Sequence, residues 1–231
     1  MSNFDLATIV KEKWYIVLFA SFIVGATSFI LSTFLTPEYK TSVDLLVIQK
    51  QPTDRVDAFG AAKSAEYLSS ILNKAIYSSS FYNTVLDSTE GVSKRAYGST
   101  PTEIAKAWDK QVDSKVVGET GIIHIEVYNS SLKASNKLAQ AIASNLINNA
   151  GQYHGGGDNV EVKILDDPKA SPKPARPNLL INTLLGALVG IGVSIVLLSL
   201  SYNEMVVNDS KVGFLGDRVV SRKPIIAGAT V

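Results

Sequence analysis

The chain has 231 residues, 46% of them hydrophobic, and its formal net charge is +1. Residues 36–178 carry 16 Lys and Arg side chains against 16 Asp and Glu, so the chain lacks the basic excess with which proteins bind nucleic acid. There is no cysteine, which excludes disulfides, thiolate metal sites and thiol nucleophiles.

The first apolar block covers residues 14–35 and contains no charged side chain. As a helix it would be roughly 30 Å long, the thickness of the hydrocarbon core of a bilayer. Trp14 stands at its start, where amphipathic rings favour the interface, and Lys11 and Lys13 precede it. The lysines predict a cytoplasmic N-terminus. A cleaved signal peptide is the alternative, but the block is longer than a signal h-region and no A-x-A-like site follows it.

A mixed α/β domain is predicted between this block and the next one. Residues 38–50 alternate apolar and polar side chains, the period of a half-buried strand. Stretches with helical spacing follow. They are residues 65–78, a short helix capped by Ser79 or Ser80, and a helix capped by Thr100 or Thr102 whose apolar face includes Ile104, Ala105, Trp108 and Val112.

The second half of the domain is predicted as strand, helix, strand. Residues 121–129 are rich in β-branched side chains, residues 130–154 have a serine cap and helical spacing, and residues 160–167 alternate again. The first and last strands then lie next to the two apolar blocks. We therefore expect these strands to pair in one sheet, and a cysteine pair at Val43 and Val162 to crosslink.

Prolines dominate the segment before the second apolar block: Pro168, Pro172, Pro174 and Pro177, with Arg176 among them. Proline fixes φ and pushes the preceding residue into an extended conformation, which predicts a semi-rigid stem that holds the domain at a fixed height. The long side chains of Lys173 and Arg176 would reach lipid phosphates. A plain linker that stops a helix is the alternative.

The second apolar block, residues 179–200, is uncharged and long enough for a second span. Two spans place both chain ends on one side of the membrane. Gly186 and Gly190 have the G-x-x-x-G spacing that lets another helix approach closely, although small residues are common in spans generally. Asn182 either hydrogen-bonds across a helix interface or sits at headgroup depth.

The predicted fold class is a membrane protein with two transmembrane helices bracketing a compact extracytoplasmic α/β domain. Its segments are a cytoplasmic arm (1–13), a transmembrane helix (14–35), the domain (36–178) ending in the stem (168–178), a second transmembrane helix (179–200) and a cytoplasmic tail (201–231).

The sequence shows no catalytic constellation. His124 alternates with isoleucines on a predicted strand and His154 lies in a Gly-rich turn, and neither has further metal ligands near it in sequence. Asp166 and Asp167 are adjacent on a strand, so they face opposite sides and make a poor acid/base pair. No G-x-x-x-x-G-K-[ST] loop occurs. We therefore expect no enzyme, no cofactor and no metal site.

The tail displays Phe214 and Leu215 between two glycines on a polar, flexible arm. This pattern is typical of a linear motif that docks in a partner's groove. Arg218, Arg222 and Lys223 would add charge complementarity or lipid contact. A disordered end without a partner is the alternative.

The two spans, the strand-then-helix stretch IHIEVYNSSLKASNKLAQAIASNLI and the segment DDPKASPKPARPN together resemble the Wzz-type polysaccharide co-polymerases. More narrowly, the chain resembles the CapA/YveK-like transmembrane modulators of bacterial tyrosine kinases in capsule and exopolysaccharide assembly. The resemblance covers almost the whole chain, and the proline stem is its most specific part. Regulators of lipopolysaccharide chain length usually carry a long helical hairpin outside and almost no tail, whereas this domain is compact and the tail runs from residue 201 to 231.

The resemblance implies a non-enzymatic regulator in the bacterial cell (inner) membrane, a homo-oligomer in the lipid bilayer that acts with the polysaccharide polymerase or export machinery. It also implies that the tail stimulates a cytoplasmic P-loop tyrosine kinase on a separate chain. From the tail residues themselves we expect Phe214 to be the anchor. The residues alone leave a second interpretation open, a two-span sensor or receptor whose outside domain binds a ligand and whose tail recruits another partner.

Overall fold

The computed structural model describes residues 10–50, 57–154 and 159–220; for His154 and residues 202–220 only the backbone is described. The chain forms two compact units. One is the domain of residues 36–177, and the other consists of the flanking segments, up to Leu35 and from Asn178 onward. Helix α1 (Trp14–Thr33) and the long helix α7 (Leu179–Val220) belong to these flanking segments.

The domain is built on a four-stranded antiparallel sheet. Its strands are β1 (Tyr39–Gln49), β2 (Val112–Val117), β3 (Ile122–Asn129) and β4 (Val160–Ala170). Their order is β2–β3–β1–β4, so the first and last strands are neighbours. Gly118 and Gly121, in the turn between β2 and β3, have φ values of +53° and +71°, a region that glycine enters without steric cost.

Helices pack against one face of this sheet. They are α2 (Ala58–Ala75), α3 (Ser79–Ser88), α4 (Pro101–Gln111), α5 (Leu132–Asn149) and the single turn α6 (Gly151–His154), with a 3₁₀ turn at Lys94–Tyr97. Side-chain caps set where they begin: the Ser78 hydroxyl accepts from the amide of Phe81, and Thr100 and Glu103 form a capping box at α4. Such caps satisfy amides that have no partner within the helix.

The core lies between the sheet and the helices. From the strands it takes Val43, Leu45, Val47, Ile123, Ile125 and Val127; from the helices it takes Leu72, Phe81, Trp108, Leu138, Ile142 and Leu146, all at most 1% exposed. Full burial of one such side chain contributes about 1.5–3 kcal/mol. The Trp108 indole N–H donates to the carbonyl of Ile76 at 3.1 Å, so its one polar atom is satisfied.

The fold class predicted from the sequence is confirmed: two long apolar helices bracket an α/β domain. The strands expected at residues 38–50, 121–129 and 160–167 are β1, β3 and β4, and the first and last strands do pair. The expected crosslinking pair is wrong. Val43 lies opposite Ile125, whereas Val162 lies opposite Val47.

Strand β2 was not predicted from the sequence. Val112, expected on the apolar face of a helix, is the first residue of β2. Helix α4 ends at Gln111 and β2 begins at the next residue, so no glycine or proline marks the boundary. The cap of α3 is Ser78 rather than Ser79 or Ser80.

Helix α7 continues beyond the apolar block to Val220, where the sequence analysis expected a flexible arm from residue 201. The first proline after the block is Pro224, so no strong helix breaker stands in this stretch. Gly213 and Gly216 each cost about 1 kcal/mol relative to alanine inside a helix, which a long helix tolerates.

Candidate functional sites

Small residues bring α1 and α7 into close contact. A Cβ atom built on Gly186 would lie 2.5 Å from the Cβ of Ser28, and one on Gly190 would lie 2.8 Å from the Cα of Ser21. Both distances are shorter than a van der Waals contact, so a larger residue at either position requires the neighbouring atoms to move. The contact places both glycines against the first helix of the same chain.

Side-chain hydrogen bonds join the same two helices. Ser21 Oγ donates to the carbonyl of Ala187 at 3.0 Å, Ser28 Oγ donates to the carbonyl of Asn182 at 2.8 Å, and Asn182 Nδ2 donates to Ser32 Oγ at 2.9 Å. The sequence left two positions open for Asn182, and in the structure its side chain hydrogen-bonds across the helix interface. Inter-helical hydrogen bonds in a membrane contribute about 0.6 kcal/mol on average and fix which faces meet.

The predicted proline stem is divided between a strand and the segment after it. Pro168 lies inside β4, and the pairing of β4 with β1 shifts register between Ser42 and Asp44 and again between Asp44 and Leu45. An irregularity on an edge strand is where a sheet tolerates proline. The strand therefore extends two residues past Pro168, to Ala170.

Pro172, Pro174 and Pro177 follow β4 in a segment tied to the start of β1. The Ser171 amide donates to the carbonyl of Lys40 at 2.7 Å, the Ala175 amide donates to the carbonyl of Glu38 at 2.8 Å, and the Glu38 amide donates to the carbonyl of Arg176 at 2.9 Å. This segment is held in place by hydrogen bonds as well as by the restricted φ of its prolines.

Arg176 joins this segment to the rest of the domain. Its guanidinium carbon lies 3.4 Å from the ring centroid of Tyr128 on β3, and its Nη1 donates to the carbonyl of Lys110 at the end of α4 at 3.0 Å. The same nitrogen lies 3.8 Å from Glu38 Oε2. A cation over an aromatic ring and near helix-terminal carbonyls is stabilised electrostatically. The Arg176 side chain, which was expected to reach lipid phosphates, therefore makes these contacts within the domain.

A chain of charged and polar side chains lies on the face of the sheet opposite the core. Lys40 Nζ donates to Glu126 Oε1 at 2.7 Å, and Tyr128 Oη donates to Glu126 Oε2 at 2.6 Å. His124 lies between two carboxylates: its Nε2 is 3.2 Å from Glu126 Oε1, and its Nδ1 is 2.5 Å from Asp44 Oδ1. We call these five side chains the His124 network.

The His124 network shifts three pKa values. Burial disfavours the Glu126 carboxylate, but hydrogen bonds from Lys40, Tyr128 and His124 outweigh it and lower the pKa of Glu126 to about 2. Burial and the bond to Glu126 raise the pKa of Tyr128 to about 12. Burial opposes the charged form of His124, yet the two neighbouring carboxylates raise its pKa above the ordinary value. The His124 side chain therefore stays protonated to a higher pH than a free histidine side chain does.

The tail residues singled out for partner binding have no described side-chain contacts. Phe214, Leu215 and Arg218 lie on α7 where only the backbone is described, and Arg222 and Lys223 lie outside the described residues. Their role stays a prediction. Among the residues that the structure describes, no group of three or more His, Asp or Glu side chains is placed to hold a metal ion.

Sequence reasoning missed the partners of Arg176. Tyr128 and Glu38 look like ordinary strand residues in the sequence, and Lys110 contributes only a backbone carbonyl. They meet Arg176 because β3, β1 and the proline segment become neighbours through the strand order, which local patterns do not reveal.

Together these features define a membrane protein in which two apolar helices bracket an α/β domain. No protein-family model matches the chain. It is similar to the capsular polysaccharide biosynthesis protein CpsC of Streptococcus agalactiae, with 22% identity over 223 residues, which are 96% of this chain and 86% of that protein. The CpsC protein of a serotype Ia strain of the same species gives the same values.

Proposed function

We propose that the chain is a non-enzymatic membrane regulator of capsular polysaccharide or exopolysaccharide polymerisation or export. In this proposal it modulates a separate cytoplasmic tyrosine kinase through its C-terminal tail. The observation that carries the proposal is the similarity to CpsC over 96% of the chain, a length that includes both apolar helices and the whole domain. The other proposed partners are the polymerase or export machinery and further copies of the chain in the lipid bilayer.

The proposed orientation puts the domain outside the cell and both chain ends in the cytoplasm. Lys11 and Lys13 immediately before α1 support it, because lysines next to a span favour the cytoplasmic side. Helix α7 supports a direct mechanical connection between the span and the tail, since its 42 residues form one helix. A shift or rotation of the span would then be passed directly to the residues beyond the membrane.

Single cysteines test the orientation, because the chain has none of its own. We would place one at Glu90, whose side chain is 97% exposed in the domain, and another at Asn208 on α7. A membrane-impermeant maleimide added to intact cells should label position 90, and position 208 only after permeabilisation. Labelling of position 208 in intact cells would overturn the orientation.

Reconstitution tests the kinase modulation. The full chain in liposomes would be mixed with a P-loop tyrosine kinase of the same organism, and kinase autophosphorylation measured. We expect stimulation by the wild type, its loss in Phe214→Ala, and its retention in the matched tail variant Val207→Ala. Replacing Arg218, Arg222 and Lys223 by glutamine should weaken it. Absence of stimulation by the wild type contradicts the kinase role.

Polymer length tests the polysaccharide role independently of the kinase. The size distribution of the surface polysaccharide should change when the gene is deleted and return when the full chain is restored. An unchanged distribution would contradict this half of the proposal, whatever the kinase assay gives.

A further inference from the structure

We propose that a polar pocket in the domain binds a segment of a glycan. The pocket lies between α3, the 3₁₀ turn and the start of α4, has a volume of about 420 Å³, and is formed by Ser79, Tyr82, Asn83, Lys94, Ser99 and Ile104 together with Pro101. We call it the Tyr82 pocket. Its volume falls within the range of small-molecule binding sites.

Apart from Lys94, which contacts Asp87, the polar side chains of the Tyr82 pocket make no hydrogen bond within the described part of the chain. Tyr82 is only 4% exposed, yet its hydroxyl, unlike those of Tyr97 and Tyr128, makes no hydrogen bond there. The side chains of Asn83 and Ser99 are likewise unpaired among the described residues. Among the described residues, the one fully buried side-chain N or O atom without a hydrogen-bond partner is Asn145 Oδ1, so the Tyr82 hydroxyl is open to solvent in the pocket. The hydroxyl is therefore available to hydrogen-bond to a ligand in place of water.

The Tyr82 ring is held in position before any ligand arrives. It packs against Trp108 with ring centroids 5.9 Å apart and an interplanar angle of 39°, and Trp108 is itself fixed by its bond to the Ile76 carbonyl. Ile104, 9% exposed, is also buried beside the pocket. A fixed ring places its hydroxyl in a defined direction, and such preorganisation lowers the entropy cost of binding.

The lining matches the chemistry of a sugar ring, which has an apolar C–H face and a rim of hydroxyls. Tyr82, Pro101 and Ile104 supply apolar surface, while hydroxyls and the Asn83 amide supply both donors and acceptors. Lys94 adds one cation that suits an acidic substituent, and among the described residues its contacts are those of 3.4 Å to the exposed Asp87. The choice of a glycan over another polyhydroxylated ligand rests on the proposed function.

The test uses the full chain in lipid nanodiscs and oligosaccharides cut from the surface polysaccharide of the same cells. Binding would be measured by calorimetry for the wild type, Tyr82→Phe and the control Tyr67→Phe, which alters an exposed tyrosine on α2. We expect Tyr82→Phe to weaken binding about 3- to 10-fold through the loss of one hydrogen bond. Its unfolding midpoint should not change, because the hydroxyl has no partner among the described residues, and Tyr67→Phe should bind like the wild type.

A second variant fills the pocket instead of removing a contact. Ser99 is exposed at the pocket rim, so Ser99→Trp should fold normally and reduce binding more than 10-fold. The proposal is overturned if the wild type binds none of the oligosaccharides, or if both Tyr82→Phe and Ser99→Trp bind as it does. The kinase and polymer-length assays are separate readouts. Kinase stimulation without glycan binding would contradict only the proposed pocket, and glycan binding without kinase stimulation would contradict only the kinase role.

Discussion

The domain core and the α1–α7 interface are held together in different ways. In the domain, large apolar side chains such as Leu72 and Ile125 are fully buried between the sheet and the helices. Between α1 and α7 the contacts are made by glycine, serine and asparagine, while Phe22 and Leu188 are 73% and 62% exposed. Water drives apolar burial in the first case; in lipid that gain is absent, so close approach and hydrogen bonds decide which helices pair.

The largest expected effect is in the domain core. Leu72→Ala removes a fully buried side chain of α2 and should lower the free energy of unfolding of the domain by about 2–5 kcal/mol, because a cavity remains. The measurement is chemical denaturation of the full chain, followed by the fluorescence of buried Trp108.

The matched control for this prediction is Leu132→Ala, the same change at a leucine that is 40% exposed. It should lower the free energy of unfolding by well under half as much as Leu72→Ala does, since little buried apolar area is lost there. Equal destabilisation by the two variants would mean that the described packing of α2 is not what stabilises the domain.

An intermediate effect is expected where a glycine permits close approach. Gly190→Leu should force α1 and α7 apart at a cost of about 1–3 kcal/mol, as overpacking does elsewhere. A disulfide reports the contact: a Cβ built on Gly25 lies 3.4 Å from the Cβ of Ala187, close to the spacing that a disulfide needs. The Gly25→Cys/Ala187→Cys chain should therefore crosslink readily under oxidation, and adding Gly190→Leu should reduce the yield.

Gly192→Leu serves as the control for this experiment, because in the described part of the chain no atom outside the nearby backbone of α7 and the adjacent residues lies within 4 Å of a Cβ built on Gly192. Its crosslinking should equal that of the parent cysteine pair. If Gly190→Leu also crosslinks fully, small-residue packing does not hold the helix pair together.

A smaller effect is expected from the hydrogen bonds of the helix pair. Asn182→Leu removes the donor to Ser32 Oγ, which in a membrane should cost about 0.6–1.7 kcal/mol. The same cysteine pair should then crosslink more slowly, between the rates of the parent and of Gly190→Leu. A faster rate than the parent would show that the asparagine opposes the pairing.

Local sequence patterns predicted most of the secondary structure because each pattern stays within one element. The alternation of Ile123, Ile125 and Val127 reports a strand face directly, and all three are buried. Strand β2 was missed since its six residues follow α4 without a turn. The expected partner of Val162 is wrong because the start of β4 pairs with the end of β1, Val160 with Gln49 and Val162 with Val47. Such a register between distant strands is not specified by the alternation within either one.

The candidate sites were less accessible to sequence analysis because they join distant segments. The spacing of Gly186 and Gly190 indicated a close helix contact, but any helix could have been the partner. Tyr82 has the position of an ordinary core residue on α3, and only the placement of Ser99 and Lys94 beside it forms a pocket. Those positions depend on how α3, α4 and the 3₁₀ turn pack, which no local pattern specifies.

The smallest effect is expected on the face of the sheet opposite the core, where charged and polar side chains meet. His124 has its pKa raised in the folded domain by Asp44 and Glu126, against the effect of burial. Its protonated form therefore stabilises the fold. This contribution is complete below the unfolded pKa of about 6.5 and is lost as the pH rises through the folded pKa. Glu126, with its pKa lowered to about 2, stays ionised throughout this range.

Stability of the full chain, followed by denaturant midpoints, should accordingly fall as the pH rises above about 6.5, and His124→Gln should flatten that slope. The second histidine, His154, is present in both chains, so the difference between their slopes isolates His124. The effect is expected to be small because His124 and both carboxylates are partly open to solvent, which screens their interaction. Identical slopes for the two chains would mean that the His124 network does not couple protonation to folding.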